Sequence, residues 1–173
     1  MYLTIATWQY FYKANEFSSG SNIKGYYISN KSPSEATKSI EDTLSSNVVT
    51  IEADEVSIDQ NASAIGIYAD QEQLEASLKS QRIKRAILPF IFDKNIDSPL
   101  AINETQFNLV TQNNIPQISQ PPKYSKYVYK ANEIIITDSQ PGNGIKLSNI
   151  KNELLDRVLS NDNLVLNTSL QIV

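Results

Sequence analysis

Between residues 24 and 92 the chain reads strand, helix, strand, strand, helix, strand, and this order limits the fold more than any other feature. Gly25-Tyr26-Tyr27-Ile28-Ser29 predicts the first strand. Ser32 and Pro33 then open a helix, with Ser as N-cap, Pro at the first position and Glu35 in the first turn. Ala36, Ile40 and Leu44 give it an apolar stripe at spacings of four. Residues 48–53 alternate, with Val49, Ile51 and Ala53 on the inward parity and Thr50, Glu52 and Asp54 on the solvated one. Residues 64–68 predict the next strand, and Asp70 caps a second helix. The apolar phase of Leu74 and Leu78 is not continued by Ile83 and Ile87. The helix is therefore expected to stop near Gln81 and residues 85–92 to form a strand.

A βαββαβ order over 24–92 is that of a split βαβ, or ferredoxin-like, sandwich, a scaffold that carries no functional information by itself. Residues 2–13, rich in aromatic and β-branched side chains, predict a strand covered on both faces. Pro99, Pro116, Pro121 and Pro122 mark residues 99–122 as a long, turn-rich excursion. Residues 124–137 read as one long strand and 138–144, with Pro141, Gly142, Asn143 and Gly144, as a turn. Ser148 is expected to cap a third helix running to Leu159, followed by a last strand over 163–173. The fold class is thus α+β, with a mixed or antiparallel sheet and about three helices. Its 173 residues suit a single domain, 1–173, and the one place for a subdivision, into 1–98 and 123–173, is the excursion between them.

The chain has no cysteine and no histidine. Disulfides, thiol nucleophiles, imidazole acid–base chemistry and zinc sites built on those ligands are excluded. Fifteen basic against nineteen acidic residues give a net charge of −4, which argues against a nucleic-acid backbone as the main partner. No lysine or arginine precedes Lys13, and the longest apolar run, residues 86–92, is too short to span a bilayer. A cytoplasmic protein without a membrane partner is the expectation, and no cofactor is implied.

Tyrosines cluster, five of nine within residues 2–27 and three more at Tyr124, Tyr127 and Tyr129. The two clusters share an echo: residues 10–16, YFYKANE, return as residues 127–133, YVYKANE. An internal duplication would give two similar units with paired Tyr-x-Tyr-Lys surfaces; coincidence in a biased composition would give the same match. Large amphipathic side chains gathered on strands, with no coherent catalytic set, point to a non-enzymatic interaction or assembly module. It would bind a protein partner or a second copy of itself, and its candidate binding residues are Trp8, Tyr10, Tyr12, Lys13, Tyr124, Lys126, Tyr127, Tyr129 and Lys130.

Two other readings compete. Residues 123–130 combine Lys123, Lys126 and Lys130 with three tyrosines and no acid, as a single-strand nucleic-acid binder would to stack bases and neutralise phosphates. Glu52, Asp54 and Asp59 could ligate magnesium or manganese in a phosphoryl hydrolase, although a solvated strand face is the stronger explanation of them.

Overall fold

Ser32 fixes where the first helix begins. In the structure, a computed structural model describing residues 15–53, 56–87, 95–113, 122–130, 133–160, 163–168 and 170–172, helix α1 spans Pro33–Ser46. The Glu35 amide donates to Ser32 Oγ at 3.3 Å, while the Ser32 amide donates to Glu35 Oε2 at 2.8 Å, a reciprocal capping box. Ala36, Ile40 and Leu44 are fully buried, as their spacing requires.

Ahead of α1 lies a small hairpin of β1 (Asn22–Ile23) and β2 (Tyr26–Tyr27). Its two-residue connection has positive φ at both Lys24 (49°) and Gly25 (92°), the backbone twist that a tight hairpin favours. The Tyr26 hydroxyl donates to the Ser39 carbonyl at 2.8 Å and so ties the hairpin to α1.

The main described sheet has the order β10-β3-β4. Strand β3 (Val48–Ala53) pairs antiparallel with β4 (Val56–Asn61) and parallel with β10 (Asn163–Thr168). Leu164 and Leu166 lie opposite Val49 and Ile51, and all four are buried, so β3 and β10 share one apolar face, which Ile58 continues on β4 opposite Ile51. Strand β5 (Ile67–Ala69) pairs instead with β6 (Leu100–Ile102). The ferredoxin-like pairing expected over 24–92 is therefore not the one formed among the described residues. Strand β2 pairs with β1, and the sheet of β3 takes its second neighbour from the C-terminal part of the chain.

Helix α2 spans Gln71–Ile87, capped by Asp70 Oδ1, which accepts from the Gln73 amide at 3.1 Å. It passes the expected end at Gln81, and residues 85–87, assigned above to a strand, are helical; residues 88–92 lie outside the described set. The reason is Gln81 itself, which continues the stripe of Leu74 and Leu78 as a buried polar residue. Its Nε2 donates to the buried Ser21 hydroxyl at 3.2 Å, so the stripe stays buried through a hydrogen bond instead of a methyl group.

The excursion at 99–122 is also structured in its first half. After β6, Asn103 caps α3 (Glu104–Asn113) by accepting from the Gln106 amide at 3.1 Å, and Phe107 is fully buried. Helices number four among the described residues, one more than the sequence suggested, and the α+β class holds with both parallel and antiparallel pairs.

Helix α4 (Leu147–Arg157) has Lys146 at its N-cap position, without a side-chain cap bond, so Ser148 sits inside the first turn and is not its N-cap. Ile150 and Leu154 anchor it on the core. The expected last strand divides into β10 and β11 (Gln171–Ile172), the latter paired with β9 (Asn143–Gly144) at the end of the 138–144 turn. The described residues contain no helix long and apolar enough to cross a membrane.

Candidate functional site

Residues 124–137 are not one strand. Lys126–Lys130 (β7) and Glu133–Thr137 (β8) form an antiparallel hairpin joined by Ala131 and Asn132. The reversal follows from short-range sequence: two β-rich runs on either side of a connection only two residues long. Lys123 and Gln140 extend the ladder by one bridge, exchanging backbone hydrogen bonds of 2.9 and 2.8 Å. The Thr137 hydroxyl closes the open end, accepting from the Lys126 amide and donating to its carbonyl, both at 3.1 Å.

Register decides what each face carries. Tyr127 lies opposite Ile136 and Tyr129 opposite Ile134, and side chains opposite one another or two apart share a face. Tyr127, Tyr129, Ile134 and Ile136 therefore form one continuous patch without a charged group. Their fractional exposures are 76, 78, 55 and 60% respectively. Lys126, Ile135 and Thr137 belong to the opposite face, also exposed. Among the described residues, β7 and β8 pack substantially on each other and on no other element. An exposed apolar face on a two-stranded arm is unusual, because such a ribbon has little stability of its own in water and monomers seldom leave apolar patches open.

Of the candidate binding residues, Tyr127 and Tyr129 thus share one surface, Lys126 lies on the other, and Lys130 ends β7 opposite Glu133. Tyr124 precedes the hairpin and is 78% exposed. Trp8, Tyr10, Tyr12 and Lys13 lie outside the described residues, as does most of the first YKANE copy, so the two copies are not compared structurally. Ile134 and Ile136 were missed by sequence reasoning. The run Ile134-Ile135-Ile136, recognised as a second strand folding back on the tyrosines, is the signal that would have found them.

The acidic alternative is less gathered. Glu52 and Asp59 share the exposed face of β3 and β4, but Asp59 Oδ1 accepts from the Thr50 hydroxyl at 2.6 Å, a cross-strand bond across the pair they form. Asp54 lies outside the described residues, and among those described no three acidic or metal-ligating side chains come together. The separation of Lys126 from Tyr127 and Tyr129 likewise weakens a nucleic-acid platform, which needs cations beside its stacking rings.

Two concavities lie elsewhere on the described surface. An open groove of about 790 Å³ between the start of α1 and α2 is lined by Ser32, Pro33, Leu78, Lys79, Arg82 and Ile83, among others. A smaller, more enclosed one of about 430 Å³ lies by Glu41, Gly66, Tyr68, Asn103 and Gln106. Within it Gln106 Nε2 is committed to the Ser63 and Ala64 carbonyls, at 3.3 and 3.0 Å. No family model matches this chain, and no match was found among curated proteins or solved structures.

Proposed function

We propose that this chain is a protein-interaction module that assembles through the β7–β8 arm. One observation carries the reading: Tyr127, Tyr129, Ile134 and Ile136 present an uncharged, exposed face on a hairpin that packs substantially on no other described element. Tyrosine supplies large contact area at a low cost in conformational freedom, and it is enriched where proteins bind one another. Burying such rings against a partner removes apolar surface from water, which is the main favourable contribution to most protein–protein association. Single-strand nucleic-acid binding through residues 123–130 is the second reading. The lysines Lys123, Lys126 and Lys130 favour it and the acidic balance of the chain disfavours it.

A photoreactive side chain placed at Tyr127 in producing cells tests this directly, with Tyr27 and Tyr68 as exposed controls outside the arm. The expected result is a discrete protein adduct, identified by mass, from Tyr127 only, and its loss when Ile136→Asp is added. Absence of an adduct, or the same adduct from both controls, contradicts the module. A nuclease-sensitive adduct transfers the assignment to nucleic acid.

A further inference from the structure

Resting on that module reading, we infer that the occupant of the Tyr127–Tyr129–Ile134–Ile136 face is a second copy of this chain, docked face to face across a twofold axis. A twofold contact sets each patch against its own copy, residue i meeting j and j meeting i, so the patch must complement itself, and an uncharged apolar patch does so without any charge pairing. Within β7 and β8 this face carries no charged residue: Lys126 is on the opposite face, and Lys123 and Asp138 lie beyond the ends of the two strands. A heterologous partner requires no self-complementarity and commonly exploits charge for orientation.

Area supports the same occupant. With the exposures given above, two tyrosines offering roughly 170 Å² each and two isoleucines offering about 100 Å² each bring the face to roughly 540 Å² per copy. Two copies together would cover about 1,100 Å², just above the roughly 1,000 Å² that a specific contact has to clear. The opposite face also limits growth. A third arm stacking there would have to desolvate Lys126 against an apolar partner, so the arrangement closes at two instead of extending into a fibre.

The absence of native cysteine gives a clean test, since any disulfide formed by a single introduced thiol must join two chains. Single-cysteine variants Tyr129→Cys and Ile134→Cys are expected to cross-link into dimers under mild oxidation, and Lys126→Cys to remain monomeric. Light scattering on the unmodified protein should give twice the chain mass at micromolar concentration. Ile136→Asp should raise the dissociation constant about a hundredfold, because each dimer then buries two unpaired carboxylates. Tyr127→Thr, which keeps strand propensity, should weaken association in the same direction, and both variants should retain the native helical circular dichroism. A monomer at every concentration, with photo-adducts from Tyr127 to a different protein, overturns the self-pairing and leaves the module standing. A monomer without adducts removes both. A dimer that survives Ile136→Asp and cross-links through Lys126→Cys places the contact elsewhere and also overturns the inference.

Discussion

At the scale of single residues, the chain spends its special side chains on backbone geometry. The Ser32 amide, and after it the Ser32 hydroxyl, hold the Glu35 carboxyl below its usual range. A carboxyl whose pKa is lower folded than unfolded stabilises the fold above the unfolded pKa, and that contribution disappears as pH falls through the folded value. Denaturation of Glu35→Gln should therefore show a weaker acid dependence than the parent, measured by urea titration at neutral pH and at pH values below the ordinary glutamate range. Ser32→Ala is expected to cost about 1 kcal/mol at neutral pH by the same measurement. Gly66 is constrained differently. Its φ is +95°, and an added Cβ would meet the Asn103 carbonyl oxygen at 3.0 Å and Gln106 Cβ at 3.1 Å. The Gly66 carbonyl also accepts from the Asn103 amide at 2.8 Å, fixing the approach to β6. Gly66→Ala combines positive-φ strain with two tight contacts and should lower stability by roughly 1–3 kcal/mol, readable as a fall in the thermal midpoint.

At the scale of elements, what was legible depended on whether local chemistry and burial agreed. Helix α1 was readable because Ser32, Pro33, Glu35 and the Ala36–Ile40–Leu44 stripe all signal the same start and the same inward face. Strand β3 was readable because Val49, Ile51 and Ala53 alternate with polar residues and are buried on that parity. Helix α2 was cut short because its stripe continues through Gln81, a side chain that hydropathy assigns to solvent and that hydrogen bonding to Ser21 makes tolerable inside. Gln81→Ala leaves the buried Ser21 hydroxyl without that donor and should destabilise by about 1–3 kcal/mol, more than truncation of the exposed Gln73 nearby. Pairing was the hardest to read. Strand β10 lies beside β3 across more than a hundred residues of sequence, and no local pattern encodes which strand becomes a neighbour. The candidate surface was half legible. The tyrosines stood out by composition, whereas Ile134 and Ile136 acquire their meaning only from the register of the hairpin.

At the scale of the whole molecule, two kinds of apolar surface coexist. One is a continuous core drawn from Phe17 through Leu166, to which the three-stranded sheet and all four described helices contribute. The other is the arm, where Tyr127, Tyr129, Ile134, Ile135 and Ile136 are exposed and take no part in that core. The division explains why a substitution on the arm should affect association and spare folding, while one on Leu44 or Leu154 should do the reverse. Ile136→Asp is accordingly expected to leave the stability of a dilute sample, followed by a thermal scan, within about 0.5 kcal/mol of the parent, as is usual for surface positions. Leu154→Ala, at a fully buried site, should cost about 2–5 kcal/mol by the same scan. The central claim is that the Tyr127–Ile136 face belongs to a contact outside the chain's own core. Amide hydrogen exchange across Lys126–Lys130 and Glu133–Thr137, followed from nanomolar to high micromolar protein, tests it most directly. The account expects rapid exchange in dilute protein that slows as concentration rises, while β3 amides stay protected throughout. Arm amides as protected as those of β3 in the dilute sample, or unresponsive to concentration, would contradict it.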